Sequence, residues 1–302
     1  MDRLRIVAFK GVSCLPIWLA LAWGEFAREG LEVSLSYTPS STAQIEGMMA
    51  GTWEIGHTAL DNIVAHAGRS GHDLFAFMGG DDGFLTLVGR PEIQRYEDLR
   101  GRDLAVDALT TGFAFVLRRM LADRGLRQGD YGLVSVGATH LRYEALRTGH
   151  RFAATLLHPP FDLLAEQGGC RRLGAARDHL PHYQAVVGMA RRSWAGAHAD
   201  LLVRYIRAYL AALRRAFEPD AREEVAQALA QAQEVPVARA RQVSARVLAP
   251  GSGLSPNGGI DEAGVEAVLR LRAEMVGLPR PAPGPGEYVD LQYYLQARQG
   301  AT

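Results

Sequence analysis

Cysteine is scarce in this chain, which has two, Cys14 and Cys170, in 302 residues. Their separation matches no metal-ligand spacing, and two cysteines do not support a disulfide framework. The sequence therefore contains no zinc-binding cysteine motif and no disulfide-stapled module, and we expect no cofactor.

An excess of charge of either sign is also missing. The chain has 33 Lys and Arg residues against 33 Asp and Glu residues, a formal net charge of zero. Lys10 is the single lysine, a bias that we attribute to a GC-rich genome. Without a basic excess there is no electrostatic case for a nucleic-acid or membrane-surface partner.

Long hydrophobic runs are missing as well. Residues 17–23 are apolar, but they are far shorter than the roughly 20 residues that a membrane-spanning helix needs. Residues 1–5 lead directly into a strand instead of a signal-peptide hydrophobic region. We therefore expect no membrane span, and the protein is periplasmic if a signal peptide was removed and cytoplasmic if Met1 is the native start.

What the chain does contain is a regular alternation of strand and helix patterns. Apolar content of 48% and charged content of 22% are typical of a globular protein, and the length is enough for two lobes. The alternation runs through the first 90 residues, restarts near Arg90 and gives way to helices from Ala199, which predicts an α/β fold with helix-covered parallel sheets. The predicted strands are 4–9, 31–37, 53–56, 74–78, 84–89, 103–107, 131–136, 152–157 and 185–190.

Helical periodicity and cap residues place the helices between and after these strands. A proline- and glycine-rich linker at 278–286 has no regular pattern. The predicted helices are 17–29, 41–50, one opening at 57–62, 110–124, 140–148, 161–167, 200–217, 220–233, 237–248 and 261–276.

Residues 37–62 contain two hydroxyl-rich strand-to-helix turns. In the first, Ser41 and Gln44 form a capping-box pattern, which predicts a helix start. In the second, His57 and Thr58 follow a short strand and open another helix. Such turns present free backbone N–H groups and the positive end of the helix dipole, so they suit small anionic or polar ligands.

Four stretches in order resemble one known family. They are LP at 15–16 followed by GEF at 24–26 and EGLEV at 29–33, then GMMAG at 47–51 with EIG at 54–56, then YEDLRGR at 96–102, and finally YVD at 288–290 with YYL at 293–295. Together they resemble the type 2 periplasmic binding proteins, in the branch that serves ABC importers for nitrate, sulfonate and taurine and includes thiamine-pyrimidine relatives.

The resemblance implies two α/β lobes joined by two crossing strands, with a ligand cleft between them. Lobe 1 would comprise residues 1–88 and 190–302, and lobe 2 residues 89–189. Ligand contacts would come from cleft-facing turns, in agreement with the general position of ligands beyond the carboxyl ends of strands in open α/β sheets. The implied ligand-binding residues are Ser13, Cys14, Ser40, Ser41, Thr42, His57, Thr58 and Asp61 on the first lobe, and Thr110, Thr111, Gly112, Phe113, His158 and Phe161 on the second.

By this resemblance the protein is the substrate-binding component of an ABC importer, with a small organic solute and an ABC permease as partners. The predicted turns hold no arginine, and Lys10 is the one lysine near them, whereas a small sulfonate usually binds to fixed positive charge. A neutral, aromatic or amide-bearing ligand stacked on Phe113 or Phe161 is an equally good expectation. The ligand class is therefore sulfonate-like, aromatic or pyrimidine-like.

An enzyme on the same fold is the alternative. Cys14 lies in the first cleft loop and His57 follows the third strand, and a thiol near an imidazole can form an activated thiolate. This pair resembles that of the cytoplasmic aromatic sulfinate desulfinases, and it would make Cys14 and His57 catalytic. Ordinary packing of both side chains is the other interpretation. The pyrimidine synthases of the same fold carry a cysteine-rich iron-binding motif, which this sequence lacks.

Overall fold

The computed structural model describes residues 1–70, 73–277 and 284–299, with the backbone alone described for 68–70. The greater part of the predicted linker, 278–283, lies outside the described residues. Within the described residues, no helix is long and apolar enough to cross a membrane.

The strands are arranged in two five-stranded sheets. In chain order they are β1 (Asp2–Ala8), β2 (Leu31–Tyr37), β3 (Ile55–Ala59), β4 (Leu74–Asp81), β5 (Thr86–Gly89), β6 (Asp103–Val106), β7 (Gly132–Ser135), β8 (Phe152–Leu157), β9 (Arg171–Ala175) and β10 (Val186–Arg191).

Each sheet has a parallel core with one antiparallel strand inserted beside it. The first sheet has the order β2-β1-β3-β10-β4, with β1 parallel to β2 and β3 and with β10 antiparallel to β3 and β4. The second has the order β7-β6-β8-β5-β9, with β6 parallel to β7 and β8 and with β5 antiparallel to β8 and β9. The predicted two-lobe α/β architecture is confirmed.

The chain crosses between the sheets twice. It leaves the first sheet after Asp81, enters the second at Thr86, and returns between Ala175 and Val186. The lobe limits at 88/89 and 189/190 stay a prediction.

The helices cover the faces of the sheets and form most of the last hundred residues. They are α1 (Leu15–Ala22), α2 (Glu25–Arg28), α3 (Ser41–Met49), α4 (Leu60–Ser70), α5 (Gly112–Ala122), α6 (Thr139–Thr148), α7 (Phe161–Gln167), α8 (Arg192–Ala197), α9 (Ala199–Ala216), α10 (Arg222–Gln233), α11 (Val237–Val247), α12 (Glu262–Val276) and α13 (Gln292–Gln299).

Three details differ from the sequence prediction. The helix expected at 17–29 is broken at Gly24, whose φ of 74° lies in the left-handed region that glycine adopts at low cost. The strand β3 continues through His57 and Thr58, which were expected in a turn, because their backbones pair with β10. The edge strand β9 was not predicted, since its arginine-rich sequence lacks strand alternation.

The long helix α9 fixes the core of the first lobe. Its buried face carries Leu202, Tyr205, Ile206, Tyr209 and Leu213, a spacing of three and four residues that lines one side of a helix. This face packs against α1, α2 and α13, and it brings two tyrosines under the sheet where β3 ends.

Strand β4 approaches the C-terminal part of the chain very closely at Gly79. The amide of Gly79 donates to the carbonyl of Gly258 at 2.9 Å. A Cβ atom placed on Gly79 would lie 2.1 Å from the backbone oxygen of Gly259. Backbone cannot yield as a flexible side chain can, so this contact requires glycine.

We expect Gly79→Ala to lower the free energy of unfolding by about 2 kcal/mol, because the added methyl group must displace backbone. Urea denaturation measures the change. Gly196→Ala is the matched control, since Gly196 lies in α8 with no atom within 4 Å of its added Cβ. That variant should be unchanged or up to about 1 kcal/mol more stable. Equal effects of the two substitutions would contradict the close approach.

Candidate functional site

A cavity of about 690 Å³, including the part that opens to solvent, lies between the two lobes. It sits beyond the carboxyl ends of β1, β3, β6 and β8, where the sheets face each other. From the first lobe it is lined by Ala8, Phe9, Gly11, Ser13, Cys14, His57, Thr58, Ala59, Asn62, Gly83 and Val186, and from the second by Asp107, Thr111, Gly112, Phe113, Ala138, Thr139, Arg142 and His158.

The structure brings more than half of the predicted ligand-binding residues to this cavity. Those that line it are Ser13, Cys14, His57, Thr58, Thr111, Gly112, Phe113 and His158. Those that do not line it are Ser40, Ser41, Thr42, Asp61, Thr110 and Phe161. Contact of any of them with a ligand stays a prediction.

The first predicted turn caps a helix and joins the lobes. Ser40 is the N-cap of α3, and its side chain accepts a hydrogen bond from the amide of Ala43 at 3.2 Å. The expected capping role of Ser41 is therefore wrong, because the residue with extended, non-helical backbone is Ser40. Instead, the Ser41 hydroxyl donates to Oδ2 of Asp107 on the second lobe at 2.9 Å. Thr42 is exposed on α3.

Asp61 forms a buried ion pair beside the cavity. Its carboxylate lies 2.7 and 2.9 Å from Nη1 of Arg272 on α12, and it accepts a hydrogen bond from the backbone of Gly112 on the second lobe. Burial raises the pKa of Asp61, and Arg272 opposes that shift. Asp61 therefore ties α4 and α12 to the start of α5.

The remaining two predicted residues also lie outside the cavity wall. Thr110 is exposed before α5. Phe161 begins α7 and packs edge-on against the ring of His158, with 5.9 Å between centroids, and against Tyr143. It supports His158 from behind.

His57 is almost fully buried in the cavity wall, with 3% of its surface exposed. Its Nε2 lies 2.8 Å from the hydroxyl of Tyr205, and its ring stacks on Tyr209 at 5.5 Å. Burial lowers the pKa of His57 from 6.5 to about 4. The imidazole is therefore neutral at physiological pH.

Cys14 is buried in the same cavity wall as His57 but is not activated. Its thiol donates a hydrogen bond to the backbone oxygen of Phe9 at 3.0 Å. Burial raises the pKa of Cys14 to about 12. Among the described contacts, Cys14 and His57 share no hydrogen bond, so the pair does not form the thiolate–imidazole arrangement that nucleophilic chemistry needs.

His158 lies on the opposite wall. Its Nδ1 is 3.0 Å from the backbone oxygen of Pro159. The ring lies against Gly11 of the first lobe, where an added Cβ would be 2.2 Å from its Cε1. Burial lowers the pKa of His158 to about 4.

Arg142 is a charged residue that lines the cavity but was not among the predicted ligand-binding residues. The predicted turns contain no arginine, but Arg142 reaches the cavity from the first turn of α6. Its Nη1 donates to Gly137 O at 2.6 Å, and its Nη2 donates to Thr139 Oγ1 and Leu156 O, both at 3.1 Å. Burial lowers the pKa of Arg142 to about 10. The sequence did contain one indication of this part of the site: strand β7 is followed by a hydroxyl residue, Thr139, at the start of a helix, as in the other predicted turns.

Asp107 and Asn62 also line the cavity and were missed. Asp107 follows β6 directly, in the position where strand-end residues face a cleft. Asn62 donates through Nδ2 to Thr58 Oγ1 at 2.9 Å, which fixes the orientation of that hydroxyl.

A buried carboxyl lies directly behind the cavity wall. Oδ1 of Asp81 accepts a hydrogen bond from the amide of Gly83 at 2.7 Å, and the Ser13 side chain also bonds to this carboxyl. Burial raises the pKa of Asp81 to about 7, and the neighbouring Asp82 adds to the shift. Within the described ranges, no group of three or more His, Cys, Asp or Glu side chains is placed to hold a metal ion.

We expect Cys14 to resist alkylation by iodoacetamide at pH 7.5 in the folded protein and to react once the protein is unfolded in urea. The reason is that the thiolate is the reactive form, and a pKa of about 12 leaves little of it. Peptide mass spectrometry measures the modification. Rapid alkylation of Cys14 in the folded state, together with sulfite release from benzenesulfinate, would support the enzyme alternative.

We expect Asp81 to make the folded protein less stable as the pH rises. Its folded pKa of about 7 lies above the ordinary aspartate value of 3.8, so its favourable contribution is complete below about pH 4 and is lost as the pH rises through about 7. Relative to wild type, Asp81→Asn should gain roughly 3 kcal/mol of unfolding free energy between pH 5 and pH 8. Urea denaturation at both pH values measures this gain, and the exposed Asp220→Asn is the control. The same pH profile for all three proteins would contradict a buried, protonated Asp81.

Comparisons with known proteins agree with this architecture. A family model described as NMT1/THI5 like matches residues 12–222. A proposed ABC transporter periplasmic binding protein of Brachyspira hyodysenteriae (strain ATCC 49526 / WA1) is 23% identical over 231 residues, which cover 69% of this chain and 64% of the relative. The match thus spans slightly less than two thirds of that relative's length.

Solved structures show the same fold over almost the whole chain. A protein from Bordetella bronchiseptica RB50 has a TM-score of 0.83 and 20% identity, with 99% of this chain and 98% of that chain covered. The alkanesulfonate-binding protein SsuA from Xanthomonas axonopodis pv. citri, solved bound to MOPS, has a TM-score of 0.77 and 18% identity, with 95% and 98% covered.

The fold is also shared with an enzyme. The desulfurization enzyme DSZB has a TM-score of 0.71 and 14% identity, with both chains fully covered. At this identity the likeness shows the fold alone, which is that of the periplasmic binding proteins. With residues 12–222 matched by the family model, the chain belongs to the NMT1/THI5-like family.

Proposed function

We propose that this protein is the solute-binding component of an ABC importer and that it encloses a small organic solute between its lobes. The observation that carries the proposal is the cavity at the strand ends, with walls contributed by both lobes. A cleft that closes around a ligand is what such a protein needs, because the solute must be held away from water until it is delivered.

Direct contacts between the lobes involve residues of the cavity lining in two places. In the first, Ser41 donates to Asp107 and the amide of Ala138 donates to Pro39 O at 3.2 Å. In the second, Asp61 accepts from the backbone of Gly112. These contacts support a closed arrangement in which a solute is trapped.

The solute that we propose is sulfonate-like, aromatic or pyrimidine-like. Phe9 and Phe113 supply aromatic surface in the cavity wall, and Arg142 supplies one fixed positive charge. The fold shared with SsuA, which was solved bound to MOPS, supports a small organic molecule as the ligand. An ABC permease as the partner and the periplasm as the compartment follow from the proposed role.

The enzyme alternative has less support. The Cys14 thiol is occupied by Phe9 O and has a raised pKa, and His57 bonds to Tyr205 instead of to the thiol. Both features favour side chains that shape a binding site over side chains that react.

Native mass spectrometry of protein purified without added ligand tests the proposal. We expect a small adduct that is retained in the native state and lost on denaturation. Absence of any adduct, together with turnover of benzenesulfinate that Cys14→Ser abolishes in a folded protein, would overturn the binding role.

Ser41→Ala should weaken solute binding by about 1 kcal/mol, about a fivefold rise in Kd, because the closed form loses its hydrogen bond to Asp107. Calorimetric titration with the solute released from the native protein measures the affinity. Thr52→Ala is the matched control, since Thr52 lies just after α3, is exposed and is not among the predicted ligand contacts. Equal affinities for Ser41→Ala and wild type would count against closure through this contact.

A further inference from the structure

The hydrogen bonds of His57 determine which of its nitrogens carries the proton. Tyr205 is fully buried, and His57 Nε2 is the partner of its hydroxyl among the described contacts. A buried phenol must donate its proton somewhere, so Tyr205 donates to Nε2, and Nε2 is the unprotonated nitrogen. In the neutral ring, Nδ1 then carries the proton. That Nδ1 is buried without a protein partner, which leaves an unused donor on the first-lobe wall.

His158 has the opposite role on the second lobe. Its Nδ1 lies against the backbone oxygen of Pro159 at 3.0 Å. A carbonyl oxygen can only accept, so Nδ1 carries the proton and donates it. In the neutral ring Nε2 is an acceptor, and no hydrogen bond to it occurs among the described contacts. The second-lobe wall therefore presents an unused acceptor.

Asp107 adds a second acceptor to the same wall. Its Oδ2 receives the Ser41 hydroxyl, whereas its Oδ1 is buried without a partner. Asp107 and Arg142 are the two residues of the cavity lining with formal charges, and these have opposite sign. Three protein oxygens already accept from Arg142, and the nearby Asp107 carboxylate interacts with its charge, so few Arg142 donors are free and the lining carries no net charge.

We propose that the solute is an uncharged molecule that presents an acceptor to His57 and an N–H donor to His158 and Asp107, as a carboxamide, a lactam or an aminoheterocycle does. The inference rests on the proposed solute-binding function and names its ligand class. A sulfonate carries acceptors alone, so it would meet lone pairs at His158 and Asp107 and leave these buried groups unpaired. Buried groups left unpaired give strong discrimination between ligands.

Calorimetric titration of protein refolded from urea, which removes any retained solute, tests the ligand class. The probes are benzamide, nicotinamide and cytosine on one side, and benzenesulfonate, pyridine-3-sulfonate and methanesulfonate on the other. We expect at least one neutral probe to bind, and each neutral probe that binds to do so at least tenfold more tightly than any of the three sulfonates.

The two ways to fail are distinct. If a sulfonate binds more tightly than all neutral probes, solute binding stands and the inference is overturned. If none of the six binds and native mass spectrometry finds no adduct, both the inference and the proposed function fail.

The tautomers can be measured without any ligand. In long-range ¹⁵N–¹H correlation spectra at pH 7, we expect both His57 and His158 to show the Nδ1–H tautomer. A proton on Nε2 of His57 would overturn the assignment of its donor and with it the inference.

Two substitutions at His57 distinguish the effect of its hydrogen-bond donor on binding from the effect of its size. His57→Phe keeps a ring and removes the donor, and it should raise the Kd of the best neutral probe at least tenfold. His57→Asn places an amide near the position of Nδ1 and should recover part of that loss. Circular dichroism shows whether each variant is folded, and a folded His57→Phe protein with wild-type affinity would overturn the inference.

Discussion

The hydrogen bond between Tyr205 and His57 links the helical last third of the chain to the wall of the cavity. Tyr205 belongs to α9, which packs on the first lobe, and His57 belongs to β3, which ends at the cleft. Because both groups are buried, the bond fixes the ring orientation of His57 and the nitrogen that is protonated. The hydrogen-bonding groups that the cleft presents therefore depend on α9, although no residue of α9 lines the cavity.

The contacts between the lobes are likewise made by buried polar groups that are paired with each other. Asp61 and Arg272 compensate each other where isolated charges would be costly, and the pair still leaves the carboxylate able to accept from Gly112. Ser41 and Asp107 form a second contact between the lobes. Residues that resemble ligand contacts in sequence thus serve to hold the two walls together.

The sequence predicts the fold well because strand alternation is clear in β1 and β2, β8 is a short, almost continuous apolar run, and helix periodicity is strong in α9. It also predicts that His57, Thr111 and His158 reach one cavity, since they follow or end strands whose carboxyl ends face the cleft from the two sheets. It does not predict which of two adjacent hydroxyls caps α3, because that depends on the backbone angles of Ser40. Arg142 was missed for a similar reason: it projects from within a helix, and only the packing of α6 on β8 brings it to the cavity.

The antiparallel strand β10 has a consequence for how the chain assembles. Since β10 lies between β3 and β4, β4 has no neighbour in the first sheet until residues 186–191 have been synthesised. The second sheet, by contrast, is one continuous segment from Thr86 to Ala175. As the chain is synthesised, all strands of the second sheet are therefore present before the first sheet has its last strand, which reverses the usual order in which the N-terminal unit can fold first.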